Sequence, residues 1–260
     1  MDVPLPRAVL LLCCFFMAAL SSCRSTNQLL KAGPAKPSPF LEHQQELITL
    51  RDRLPFHKIW WPKDERVLAR ATAQHKLYIA PVRLDYLRPV KKALPRKEVE
   101  NGSILRREHE MAFFIRNEFG RAFLRSPSSW PRFRLASKPG PDTVTLELAL
   151  VELNPTSPKG NAVKTGLKFV VGPIAGLGSF FTQGNIAIEG KLRNNRTGEL
   201  LFEFADNQSD KMTFYSARDF KPYGHANHAI VDWANQFEEF TRTRSNVRVK
   251  SSLCFTLSPY

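Results

Sequence analysis

Few residues in this chain are spaced for chemistry. His225 and His228 stand three apart at the start of an amphipathic segment, a separation that can bring both imidazoles to one helix face. With no carboxylate or thiolate close by they make an incomplete zinc site, and the His-Glu-x-x-His pattern is absent. Glu147, Glu152 and Glu189 lie on strand-like runs and could pair as acid and base. Their places on the outward rows make solvated surface carboxylates the expectation. Ser179 sits in no Gly-x-Ser-x-Gly elbow and has no base or orienting acid near it in sequence. Neither a lysine nor a helix start follows Gly176-Leu177-Gly178-Ser179, so that run is no phosphate cradle. Cys254 has only Lys250 nearby to lower its pKa and reads as a buried apolar thiol. A non-catalytic chain with no metal and no cofactor is expected.

Cys23 is the exception. Residues 1–22 carry one cation, Arg7, ahead of an uncharged apolar run from Ala8 to Leu20, the pattern of a removed secretory leader. That run is shorter than the roughly 20 residues a spanning helix needs. Leu20-Ser21-Ser22-Cys23 closes it and resembles the lipobox of bacterial lipoproteins, with cleavage after Ser22. The resemblance implies a diacylglycerol thioether on Cys23 and usually a third chain on its new amine. Each buried CH₂ contributes about 0.8 kcal/mol, and two chains suffice for stable anchoring. The alternative is an ordinary secretory leader with an incidental cysteine at the cut. Arg24, not aspartate, follows Cys23, which by resemblance to the sorting rule of enteric bacteria favours the outer membrane. The expected address is a lipid anchor on a membrane facing the periplasm.

Asp2 and Arg7 cancel on cleavage, so the mature chain keeps its net charge of +14. With Cys23 acylated no intramolecular disulfide is available, and the fold must stand on its hydrophobic core. At 43% hydrophobic and 11% aromatic, the composition is that of a globular protein. The cations cluster at Arg83, Arg88, Lys91, Lys92, Arg96 and Lys97, at Arg132, Arg134 and Lys138, and at Arg242, Arg244, Arg248 and Lys250. No zinc, recognition-helix or RNA-binding signature accompanies them, and a leader takes the chain away from cytoplasmic nucleic acid. An anionic envelope polymer or lipid headgroup suits them at about 1 kcal/mol per residue near a charged surface. A solvated basic surface without a specific partner suits them equally.

The positioning elements follow from periodicity. Residues 23–55 read as a lipidated tether in which Leu41, Leu47, Ile48 and Leu50 fit a short helix. The folded unit is expected over 56–244, with residues 245–260 an edge strand or a loose tail. Apolar–polar alternation predicts strands over 76–82, 143–153, 184–192 and 199–205, with Asn194-Asn195-Arg196-Thr197-Gly198 as a hairpin turn. Met111, Ile115, Phe119, Ala122 and Phe123 predict a helix over 103–125, and Ala226, Ile230, Trp233 and Phe237 another over 225–241. The predicted fold is α+β, an antiparallel sheet with two amphipathic helices packed on one face as a two-layer sandwich.

Residues 160–184 interrupt this pattern. They hold six of the thirteen glycines and no charge from Phe169 to Gln183, in a hairpin connection far longer than usual. Gly172, Ile174, Gly176, Leu177, Gly178, Phe180 and Phe181 form a candidate contact loop for self-association, for an envelope protein partner or for a membrane surface, since glycines let backbones approach closely. The alternative is a loop tucked over its own core.

Pro55-Phe56…Trp60, Tyr78-Ile79-Ala80-Pro81-Val82, the run from Leu146 to Thr156, and Ile186-Ala187-Ile188-Glu189-Gly190 with Thr197-Gly198-Glu199 are together similar to bacterial lipoproteins grouped as a domain of unknown function. Asn194 and Asn195 stand where that pattern has aspartate before Thr-Gly. The resemblance implies an α+β periplasmic domain and brings no catalytic residues. Expected, then, is a lipid-anchored envelope protein with a binding or structural domain. The alternatives are a subunit of an oligomeric secretion or transport assembly, or an envelope hydrolase with an unrecognised site.

Overall fold

Twelve residues of nearly uninterrupted alternation, Thr143–Asn154, form the longest strand, β4, and the sheet is built around it. In the computed structural model, residues 35–49, 54–89, 103–129, 131–154, 185–209, 223–243 and 247–249 are described. The elements are β1 (Lys58–Trp60), α1 (Glu65–Thr72), β2 (Lys76–Ile79), α2 (Ser103–Leu124), β3 (Arg134–Leu135), β4, β5 (Asn185–Asn194), β6 (Leu200–Ser209) and α3 (Gly224–Arg242). The strands form one six-stranded sheet in the order β1-β6-β5-β4-β2-β3.

The sheet is mixed, which corrects the purely antiparallel expectation. β4–β5, β5–β6 and β1–β6 are antiparallel, whereas β2 runs parallel to both β3 and β4. The cause is α2, whose 22 residues span about 33 Å and return the chain to the end from which β2 started. Among the described residues there are three helices, not two. The short α1 carries no buried side chain; Asp64 caps it by accepting from the Arg66 N–H at 2.8 Å.

Alternation predicted the helix-facing row correctly. Val144, Leu146, Leu148 and Leu150 of β4, Ile186 and Ile188 of β5, and Phe202 and Phe204 of β6 form one core with Met111, Ile115 and Phe119 of α2 and Ile230, Trp233 and Phe237 of α3. The two long helices lie side by side in the same direction: Arg107 stacks over Tyr223 near their starts, and Ser126 donates to Glu238 near their ends. At the β5–β6 turn Gly198 has φ +73°, a conformation glycine adopts without a Cβ penalty.

The opposite face of the sheet departs from expectation. Residues 35–49 are not a free tether, and those from Phe40 to Thr49 form turns and one bridge, Ile48 to Ile59, instead of a helix. This segment is a strap across the sheet. Phe40 and Leu41 pack on Ala149, Val151, Ala187 and Ala205 in a second, smaller core. Small residues on the strands leave room for the strap, so the domain has a third, irregular layer.

Candidate functional site

The strap turns the outward-facing carboxylates into buried ones, correcting the expectation that Glu147, Glu152 and Glu189 are solvated. Glu189 is 3% exposed and Glu152 5%; Glu147 is half-buried. Glu189 on β5 accepts from the Ser38 N–H at 2.7 Å and the Ser38 hydroxyl at 2.5 Å. On β6, fully buried Glu203 accepts from the backbone N–H groups of Glu42 (2.7 Å) and His43 (3.0 Å), with His43 Nδ1 at 3.1 Å. Lys191 reaches Glu42 at 3.2 Å and Glu147 at 3.3 Å, while Arg193 contacts both carboxylates. Burial draws Glu42 upward, but the bonds from Lys191 and Arg193 outweigh it and hold the carboxyl below its usual range. Two carboxylates on neighbouring strands, Glu189 and Glu203, thus fix the strap's backbone. Alternation found their row; a covering segment remote in sequence could not be read from it.

At one end of the sheet the strap meets the base of the glycine-rich connection. Arg88 donates to Glu152 at 2.6 Å and to the carbonyl of Lys36; Asn185 donates to Glu152 at 2.8 Å and accepts from Asn154. Ala35 donates to the Asn207 side chain at 3.4 Å. The first described residues of the strap therefore sit beside Asn154 and Asn185, the last and first described residues around segment 155–184. That segment, with Gly172, Ile174, Gly176, Leu177, Gly178, Phe180 and Phe181, lies outside the described residues, as do Ser22, Cys23 and Cys254.

Burial pushes the Glu189 carboxyl up, against the opposing pull of the two Ser38 donors and Arg88. A raised acid binds its proton more tightly when folded, so its contribution to stability is complete at low pH and is lost as pH rises through the raised value. The stability difference between the parent and Glu189→Gln should therefore shift in the parent's favour on acidification from neutral pH, before other carboxylates protonate. Chemical denaturation at a series of pH values checks this; a pH-independent difference refutes it.

On the helix face Asp206 is buried between two partners. Its Oδ1 lies 2.5 Å from His57 Nδ1, and its Oδ2 accepts from the Trp233 indole at 2.6 Å. A cavity of about 10 Å³ borders His57, Glu189 and Asp206, the volume of a single water and far below that of a substrate pocket. His225 and His228 are the second and fifth residues of α3. Among the described residues no three His, Cys, Asp or Glu side chains gather as metal ligands, and no helix is long and apolar enough to cross a membrane.

An open groove of about 540 Å³ lies at the other end of the sheet, between the end of α1, the start of β2 and the β5–β6 turn. Arg70, His75, Lys76, Asp142, Arg196 and Thr197 are among its lining residues. Arg132 holds one wall by donating to the carbonyls of Ala71 (2.8 Å) and Thr72 (3.1 Å) at the C-terminal end of α1. The groove brings together Arg70, Lys76 and Arg196, none of which belongs to the cation clusters of the sequence.

Fold and site together define an α+β domain of six mixed strands, with helices on one face and a strap on the other. A family model described as a protein of unknown function, DUF3313, matches residues 59–237, and the chain belongs to that family. None of the curated proteins matches it. Among solved structures it is similar to the PelC dodecamer of Paraburkholderia phytofirmans, at 8% identity over 64% of this chain and 88% of that one, with a TM-score of 0.33. It is also similar to the hypothetical protein CT253 of Chlamydia trachomatis, at 10% identity over 66% of this chain and 100% of that one, with a TM-score of 0.34. Likeness at that level carries no argument about function.

Proposed function

We propose that the chain is a lipid-anchored protein of the bacterial cell envelope, held through Cys23 on a membrane facing the periplasm, the outer membrane by the residue that follows, with a non-catalytic domain that binds or organises other envelope components. The observation that carries this reading is the strap. Only residues 24–34 separate Cys23 from a segment bonded to the sheet at Ala35, Ser38, Glu42 and His43. Those eleven residues reach at most about 40 Å when fully extended. An anchor at Cys23 would therefore hold one end of the sheet near the membrane. Because Asn154 and Asn185 sit at that same end, the loop containing Gly172, Ile174, Gly176, Leu177, Gly178, Phe180 and Phe181 is our candidate for contact with the membrane surface or a neighbouring subunit.

Engagement of Glu189, Glu203 and Glu152 in holding the strap and sheet end supports a non-catalytic domain over an envelope hydrolase. The oligomeric secretion or transport reading rests on the glycines of the loop; a large detergent-solubilised oligomer that becomes monomeric on deletion of residues 166–183 supports it, and a monomer throughout removes it. The test of the main reading is the mass of the mature N-terminus. We expect Cys23 with thioether-linked lipid, partitioning into detergent, and Cys23→Ser chain that is unlipidated and keeps its leader. An unmodified Cys23 thiol in mature chain overturns the proposal.

A further inference from the structure

We propose that the groove between α1, the start of β2 and the β5–β6 turn is a binding site for an anionic glycan, a sugar chain bearing carboxylate or phosphate groups. It deepens the envelope reading above, which supplies the partner's location. At about 540 Å³ the groove lies within the range of ligand sites. Ala73 is its one apolar lining residue, and no aromatic or large aliphatic side chain lines it.

Its cations come from three separate elements: Arg70 from α1, Lys76 from β2 and Arg196 from the turn. Two are held in place by carboxylates. Arg70 forms a two-point contact with Glu199, and Lys76 meets Asp142 at 2.5 Å; the same partners draw both carboxyls below their usual range. Arg196 is exposed and near enough to Asp142 to help draw that carboxyl down, but among the described residues its guanidinium makes no ion pair at contact distance. A planar guanidinium donates two parallel hydrogen bonds to a carboxylate or phosphate, so Arg196 is the residue left to grip the anion. Gln74 adds an amide group suited to sugar hydroxyls. The groove opens about 30 Å from the strap's entry, the length of the ten-residue β5, and so faces away from the anchored end.

Because the whole chain is strongly basic, the test must separate this groove from diffuse attraction. Binding of the detergent-solubilised full mature chain to polygalacturonate, phosphomannan and neutral dextran, in physiological salt, provides it. We expect one or both charged polymers to bind and dextran not to; the preferred polymer identifies the anion. Arg196→Glu should weaken binding about tenfold or more, and Arg196→Lys should keep most of it, though not all, by losing the planar fork. Arg106→Glu, the same charge change on an exposed residue of α2, should change it less than about twofold in screening salt. Arg196 lies in an exposed turn, so both replacements should fold, and unfolding curves verify that. Equal losses for Arg196→Glu and Arg106→Glu, or equal binding of dextran, overturn the proposal. Its failure is distinguishable from failure of the anchor reading: an unlipidated Cys23 leaves this affinity untouched, and an unselective groove leaves the lipid on Cys23.

Discussion

Replacing Asp206 by alanine should destabilise the domain by about 4 kcal/mol, because it strips the acceptor from two buried donors. Asp206 is 4% exposed and joins three parts of the fold. Its Oδ1 receives the His57 Nδ1 proton at 2.5 Å and the His57 backbone N–H at 3.3 Å, at the entry to β1. Its Oδ2 receives the indole N–H of Trp233 on α3, a side chain with no exposed surface. The Asn207 N–H lies 3.4 Å from the same His57 Nδ1, a weaker contact, since a ring nitrogen that donates to a carboxylate cannot also accept. Alanine would leave the His57 and Trp233 donors buried without an acceptor, each costing about 1–3 kcal/mol, and these costs do not add fully within one network. Asp206→Asn keeps one carbonyl acceptor but turns an N–H₂ toward the other donor, so it should cost about half as much. Urea unfolding followed by Trp fluorescence measures both. A loss below about 1 kcal/mol for the alanine variant would mean that the two donors find other acceptors.

Gly190→Ala should cost about 3 kcal/mol, at the upper end for overpacking a core. Gly190 pairs with Leu148 and Phe204 in the middle of the sheet, and a methyl group on its helix-facing side would overlap the Phe204 ring. That ring has nowhere to retreat. Phe56 stacks on it at 4.3 Å and Phe237 lies 5.5 Å away. Shortening the ring in a Gly190→Ala, Phe204→Leu double variant should recover at least about 1 kcal/mol against the sum of the single changes, because contacting residues couple by 0.5–3 kcal/mol. Strict additivity would show that the sheet accommodates the methyl by a backbone shift away from Phe204.

These two sites also separate what a sequence can express from what it cannot. Gly190 stands in an otherwise apolar helix-facing row, and a glycine inside a strand signals a close approach, though the approaching ring is named only by the fold. Asp206 gave no signal, since its partners His57 and Trp233 are distant in sequence and belong to other elements. The carboxylates Glu152 and Glu189 were assigned to the correct row and the wrong environment. Alternation reports which side of a strand a residue takes, but what lies over that side depends on tertiary contacts.

The four longer strands, both long amphipathic helices, the β5–β6 turn and the α+β class were decided by local residue patterns, because period, turn chemistry and burial of an apolar stripe act over a few neighbours. The same holds for the lipobox-like Cys23 expectation, which depends on contiguous residues. The parallel placement of β2, the strap over Glu189 and Glu203, and the gathering of Arg70, Lys76 and Arg196 around one groove were decided only on folding. Each joins residues tens of positions apart, and such pairings come from chain reversal and close packing of distant surfaces rather than from any local preference.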